Sequence, residues 1–336
     1  MTSRGCFLLL VSTLSLGCGG VPETAPGIGG AATTSSATTG SGGAGGATSS
    51  SVSSSSSTSA SSSSGMPMAK GCVTDVSAGH HVFPCDGGIN YDVEIPASCV
   101  AGGCGLVLDM HGLTMNAAQE DAGTGMRVRG QQHGYVVVQP NAPGIPASWD
   151  QATHVPLVFA FISDVATALA TDPKRAHVMG FSQGGGMTWR MICAHADFFA
   201  SAAPLAGVFG CEFVPPNAPS REVPTLQLHG HKDNILNFAV YAIPERDAAI
   251  KFWKHGAGTV IEKDAGHTAT RYVTAAGTPL ELWEHDYSAG SIIIGGHCFP
   301  GGSDVGSSPF QFGCQETGTF VVGGLAMEFF MAHPMP

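Results

Sequence analysis

Gly180-Phe181-Ser182-Gln183-Gly184 is the stretch on which the reading of this chain turns. Ahead of it, Ala176-His177-Val178-Met179 reads as a short strand. After Gly185 and Gly186, the run Met187-Thr188-Trp189-Arg190-Met191-Ile192 reads as a helix. A serine on a sharp strand-to-helix turn needs small neighbours, because a Cβ beside it would strike the adjacent backbone. Such a turn lifts the hydroxyl clear of the sheet and sets it at a helix N-terminus, where free N–H groups stabilise negative charge. Accident is the competing explanation in a chain with 47 glycines. The strand–turn–helix context argues against it. Ser182 is therefore the candidate nucleophile, and the rest of the chain is read for groups that would serve it.

Working outward, Tyr91-Asp92-Val93-Glu94-Ile95 alternates apolar and polar residues and predicts a half-buried early strand. Gly105 to Met110 and Tyr135 to Gln139 are apolar runs of the kind covered on both faces. They end in His111-Gly112-Leu113-Thr114 and Pro140-Asn141-Ala142-Pro143. Phe159 to Leu169 carries a helical stripe of Phe159, Ile162, Val165, Ala166 and Leu169. Further strands are expected at Pro224 to Leu228, Pro279 to Trp283 and Ser291 to Ile294, with helices at Ile243 to His255 and Phe320 to Met331. Strands alternating with helices, with motifs at strand C-termini, describe a doubly wound, mostly parallel α/β sheet whose site lies along one edge.

A serine hydroxyl is a weak nucleophile until a base takes its proton, and histidine titrates in the right range. In this motif the chain order is serine, acid, histidine. Asp233 follows a strand and a Gly turn in Leu228-His229-Gly230-His231-Lys232-Asp233, so a central strand would deliver it; Asp264, Asp286 and Asp304 compete. Of the late histidines, His255, His267, His285, His297 and His333, the one at 297 stands between glycine-bearing segments that let a loop reach Ser182. His267 is second, because no apolar strand leads into it. The backbone N–H groups of Gln183 and Leu113 are the expected donors to a developing oxyanion. His111, Trp149 and Phe299 are expected to border the substrate cleft, with His111 and His229 also suited to holding loops by hydrogen bonds.

Composition sets the domain organisation. Residues 1–17 carry Arg4 and then the apolar run Phe7-Leu8-Leu9-Leu10-Val11, an export signal too short to span a membrane. Leu14-Ser15-Leu16-Gly17-Cys18 resembles the lipobox of bacterial lipoproteins, with the leucine one position early, so Cys18 is the expected lipidation point. Residues 18–69 are almost all Ser, Gly, Thr and Ala and form an expected disordered tether, reaching about 40 Å on average. Residues 70–336 make one catalytic domain. The formal net charge of −11 and the lack of a basic cluster argue against nucleic acid and anionic lipid as partners; membrane attachment is expected only through Cys18. Beyond Cys6 and Cys18, eight cysteines form an even set in an exported chain, read as disulfides. Pairing by proximity gives Cys72–Cys85, Cys99–Cys104, Cys193–Cys211 and Cys298–Cys314. No Cys-x-x-Cys or His-x-x-x-His spacing supports a metal site.

With these pieces placed, most of Tyr91 to Pro336 resembles the secreted polyhydroxybutyrate depolymerase and feruloyl esterase family of α/β hydrolases. The matching stretches are His111 to Thr114, Asp172 to Arg175, Gly180 to Gly186, Ala203 to Gly207, Leu228 to Gly230 with Asp233, and Gly295 to Gly302. The resemblance implies an α/β-hydrolase fold and a Ser182–His297–Asp233 triad that cleaves carboxylic esters without metal or organic cofactor. Cys298-Phe299 stands where the family often has Thr-Trp, and Leu113 where it often has Cys, so substrate preference does not carry over with the motifs. A polyester, a feruloyl or acetyl polysaccharide ester and a small ester all remain open, as does a peptide on the same fold. A non-catalytic surface-binding lipoprotein is the alternative from another class. The protein is expected to act as a monomer at the outer surface of a bacterium.

Overall fold

The computed structural model describes residues 68–303, 311–315 and 320–336. The export signal, Cys18, the tether up to residue 67 and Asp304 lie outside the described residues. In chain order the elements are β1 (Gly79–Pro84), β2 (Asn90–Ile95), β3 (Gly105–Met110), α1 (Ala117–Thr124), α2 (Met126–His133), β4 (Tyr135–Asn141), α3 (Gln151–Ala168) and β5 (Ala176–Phe181). There follow α4 (Gln183–His195), β6 (Ser201–Leu205), β7 (Thr225–Gly230), α5 (Ala242–Trp253), β8 (Thr259–Lys263), β9 (His267–Val273), β10 (Pro279–His285) and α6 (Val322–Ala332).

The strands form one ten-stranded sheet in the order β1-β2-β4-β3-β5-β6-β7-β10-β9-β8. Its centre, from β4 to β10, is parallel, while β1, β2, β9 and β8 add antiparallel margins at the two sides. β3, β5, β6 and β7 are buried along their whole length, as strands covered on both faces must be. Side chains alternate between two cores, following the period of two along a strand. Leu106, Leu108 and Met110 of β3, with Val136 and Val138 of β4, face the core built by α3, α4 and α5. Val107, Val137, Met179 and Phe181 face the opposite core, built by Met126 of α2 and the apolar face of α6. Because β3, β5, β6 and β7 run parallel and side by side, their C-terminal ends share one edge.

One expected strand is corrected. Ser291 to Ile294 is a turn, closed by the N–H groups of Ile294 and Gly295 donating to the Ser291 carbonyl at 3.2 and 3.0 Å. Its side chains do not alternate as a strand's would: Ile292 is 90% exposed and Ile293 half exposed, and only Ile294 enters a core. The helix expected from Phe159 begins at Gln151 instead, because the Asp150 carboxylate accepts from Thr153 N at 2.9 Å and caps it, with Pro156 inside. The four disulfides are Cys72–Cys85, Cys99–Cys104, Cys193–Cys211 and Cys298–Cys314, the pairs set by proximity. Among the described residues, no helix is long and apolar enough to cross a membrane.

Candidate active site

Ser182 joins β5 to α4 with φ 55° and ψ −116°, a conformation an L-residue adopts only under constraint. Its N–H donates to Leu205 O at 2.8 Å, and its carbonyl accepts from Gly186 N at 3.1 Å, which locks the bend from both sides. The glycines around it are required by space. A Cβ on Gly180 would stand 2.5 Å from Met110 O, and one on Gly184 only 1.8 Å from the same atom. The turn can pass this close to β3 only without side chains there.

β7 ends at Gly230, and Asp233 lies in the turn that follows. Its Oδ1 accepts from Ile235 N at 2.8 Å and Leu236 N at 2.6 Å, so its backbone fixes the carboxylate. Its Oδ2 accepts from His297 Nδ1 at 2.7 Å. The same oxygen lies 3.2 Å from His229 Nε2, which also donates to Leu236 O at 2.7 Å. Burial alone would raise the Asp233 pKa; the hydrogen bonds and positive potential of His229 and His297 outweigh it and hold the carboxyl well below the ordinary range.

His297 arrives on a loop that folds back over the Asp233 turn. Asp233 and Gly295 form a bridge, Gly296 N donates to Lys232 O at 2.7 Å, and the Asn234 amide reaches Ile292 O at 2.7 Å. A Cβ on Gly296 would lie 2.9 Å from Asp233 N, so that approach needs the glycine. Behind the histidine, Cys298 is bonded to Cys314, and Phe299 N donates to Phe312 O at 2.7 Å. The imidazole packs on the ring of Phe181, the residue before Ser182, with centroids 4.6 Å apart. Since Asp233 occupies Nδ1, Nε2 is the nitrogen left for proton transfer.

The loop after β3 touches the turn: a Cβ on Gly112 would lie 3.1 Å from Ser182 Cβ. His111 Nε2 accepts from Ala142 N at 2.9 Å, so its proton is on Nδ1, which donates to Gly112 O at 2.7 Å. Burial drives the His111 pKa down to about 4, keeping it neutral. Gly112 O and Leu113 N belong to one trans peptide, so tying the carbonyl back turns the N–H of Leu113 the opposite way. That N–H has no hydrogen-bond partner among the described residues. Gln183 is the first residue of α4, where a helix leaves its N–H without an intrahelical acceptor.

Where open cleft walls were expected at His111, Trp149 and Phe299, the structure puts buried supports: Trp149, the most exposed of the three, shows 4% of its surface. Its indole Nε1 donates to His111 O at 2.8 Å, and Phe299 packs on Phe181 with centroids 4.1 Å apart. The exposed side chain of this group is Leu113, at 40%. The competing residues are placed elsewhere. His267 opens β9 and contacts Tyr287 Oη at 3.1 Å and Glu262 at 2.9 Å. His285 lies in β10, where burial drives its pKa down to about 3. His333 contacts Phe329 O at 2.8 Å. Sequence reasoning missed the contact of His229 with Asp233, and it missed the side-chain bonds of Gln183. Both residues were in view, but His229, one residue before the end of β7, reaches the turn four residues on only through a bend that spacing does not encode.

Among solved structures, an acetyl xylan esterase from Aspergillus awamori superposes with a TM-score of 0.51 at 16% identity, over 62% of this chain and 93% of that one. The fold is that of the α/β hydrolases. No protein-family model matches the chain. Similar proteins include a bifunctional acetylxylan esterase/xylanase of Neocallimastix patriciarum, 30% identical over 156 residues, which are 45% of this chain and 22% of the relative. Feruloyl esterase B of Piromyces equi is 29% identical over 40% of this chain and 27% of its own length. A poly(3-hydroxybutyrate) depolymerase of Ralstonia pickettii is 32% identical over 30% of this chain and 25% of its own. The α/β-hydrolase chain thus resembles both the depolymerases and the feruloyl esterases, and it spans about a quarter of the length of these curated relatives.

Proposed function

We propose that this α/β hydrolase is a serine esterase acting on carboxylic esters, with Ser182, His297 and Asp233 as its catalytic residues. The observation that carries the reading is the 2.7 Å bond between His297 Nδ1 and Asp233, delivered by two interlocked loops beside a serine held at φ 55°. Ser182 Oγ attacks the ester carbonyl as His297 Nε2 takes its proton. The oxyanion is met by the N–H groups of Gln183 and Leu113. Collapse of the tetrahedral adduct breaks the bond to the alcohol, which leaves with the proton from His297. Water, deprotonated by the same nitrogen, then releases the acid and restores Ser182. Asp233, kept ionised, orients the ring and stabilises the imidazolium. No step calls for a metal or organic cofactor.

Similarity to acetylxylan and feruloyl esterases and to depolymerases supports an acyl or alkanoate ester, on a polysaccharide or a polyester, as the substrate. Four disulfides support folding in an oxidising compartment. We propose the order 1–17 signal, 18–69 tether and 70–336 catalytic domain, working as a monomer anchored through Cys18. Ser182→Ala is expected to abolish hydrolysis of p-nitrophenyl butyrate and labelling by a fluorophosphonate; retained turnover would sink the assignment. Activity should fall on acidification, when a protonated His297 cannot accept the serine proton; a profile flat down to about pH 4 would exclude a histidine base.

A further inference from the structure

The side chain of Gln183 makes contacts that the proposed reaction does not use. Its Oε1 accepts from Trp149 N at 2.8 Å, and its Nε2 donates to Trp149 O at 3.0 Å. Nε2 also reaches Ser148 Oγ at 3.1 Å. One primary amide thus grips both polar groups of a single backbone residue, as a neighbouring strand would. The gripped residue sends its indole N–H to His111 O at 2.8 Å, and His111 holds Gly112 O at 2.7 Å. The chain of bonds therefore runs from the residue after Ser182, out through Trp149, and back to the peptide that aims the N–H of Leu113. It closes a ring around the place where an ester oxygen would sit.

We infer that the Gln183 side chain is a positioning residue that sets the second oxyanion donor, so that Gln183 serves both halves of the oxyanion hole: one through its own N–H, the other through its amide and Trp149. The inference rests on the serine esterase reading above. Geometry favours this role over simple packing. Gln183 is only partly buried, and an amide that merely filled space would not match a donor and an acceptor on one residue. The alternative way to hold the loop after β3 is local. Thr114 N donates to Ala147 O at 2.9 Å and Met115 N to Gly112 O at 3.2 Å, a longer contact than the 2.7 Å bond by which His111 Nδ1 draws the same carbonyl back.

The test compares Gln183→Met, which keeps the backbone N–H and the length of the side chain, with Trp149→Phe, which removes only the indole donor to His111 O. Steady-state kinetics on p-nitrophenyl butyrate are measured with thermal unfolding and with inhibition by a phenylboronic acid, a tetrahedral-adduct mimic. Each variant should lose roughly 10- to 100-fold in kcat, with KM within about threefold and the boronate weakened in parallel. The double variant should be little worse than the poorer single one, because both break one relay. A Gln183→Met enzyme with kcat within about twofold of the parent, while Ser182→Ala is inactive, overturns the inference and leaves the esterase reading intact. So do kcat losses that multiply in the double variant. Activity in Ser182→Ala overturns the esterase reading itself. If Gln183→Met does not fold, Gln183→Glu, which accepts from Trp149 N but cannot donate to its carbonyl, gives the same readout.

Discussion

The backbone of Ser182 sits where an L-residue is strained, and the Leu205 and Gly186 bonds hold it there. In the proposed mechanism, chemistry at this residue needs a carboxylate that stays charged although buried, and Asp233 does so through four donors. Asp233→Asn would keep shape but present the wrong partner to Nδ1, so His297 would take the tautomer that cannot serve Ser182. kcat should drop by about 10³- to 10⁴-fold with little change in thermal stability. His229 is a subtler case. Replacing it with Phe removes one donor from Asp233 and should raise the carboxyl's pKa. Activity should fall about tenfold at neutral pH, and the acid limb of the rate profile should move to higher pH. An unchanged limb would assign His229 to holding Leu236 alone.

At the scale of elements, α1 is tied to β3 by acids rather than by apolar contact alone. Thr124 Oγ1 and Gln139 Nε2 donate to Asp109 Oδ2 at 2.9 and 2.8 Å, while both oxygens of the fully buried Glu120 carboxyl and Asp109 Oδ1 find no hydrogen-bond partner among the described residues. Burial pushes the Asp109 carboxyl up to about 6, against the hydrogen bonds that lower it, while burial and the charge of Asp109 raise Glu120 well above its ordinary value. An acid whose pKa is raised on folding contributes stability that is complete below its unfolded pKa, about 4. That contribution is lost as pH climbs through the folded value, about 6 for Asp109. The melting temperature should therefore decline from mildly acidic to neutral pH. Glu120→Gln, which keeps the shape of the side chain and removes the second buried acid, should raise it by several degrees at pH 8 and flatten the slope. A uniform drop at every pH would show that the pair is not the cause.

The elements that sequence revealed best are those whose burial is complete. The β3 run Gly105 to Met110 is recognisable because both faces are covered, and the glycines at 180 and 184 are recognisable because the bend excludes Cβ atoms. Ser291 to Ile294 misled because three β-branched residues signal a strand wherever they stand, and only the tertiary structure shows Ile292 in solvent. α1 and α2 were hidden by Gly123, Gly125 and Gly130, although Asn116, whose side chain accepts from Gln119 N at 3.0 Å, is a start signal that could have been used. Of the proposed site, Ser182 and Asp233 were legible as motifs after strands, and His297 by the glycines beside it rather than by the strand expected before it. The contacts made by His229 and by the Gln183 amide were not, since the first depends on the bend after β7 and the second crosses to a segment 34 residues away.

For the molecule as a whole, Cys298–Cys314 fastens the loop that carries His297 beside a sheet that is otherwise secured by two cores. Converting both cysteines to serine should lower kcat more than it lowers the melting temperature would suggest, because the loss falls on one loop rather than on the core; an unchanged kcat would show that the Asp233–Gly295 bridge suffices. Replacing Cys18 with serine in a bacterial host should move the protein from the membrane fraction to the medium, and continued membrane retention would exclude a lipid anchor there.

The clash that a Cβ on Gly184 would make, 1.8 Å from Met110 O, also divides the molecule by how far it can vary. At the glycines of the turn, 180, 184 and 185, any side chain is closed off by backbone, so mutation of those positions samples only dead proteins. Leu113, on the loop after β3, and Ile292, on the loop that carries His297, are exposed and meet no such barrier, so their side chains can be exchanged without a clash. A library aimed at a new ester should leave 180–186 untouched and randomise those two loops, where the scaffold has room to adapt.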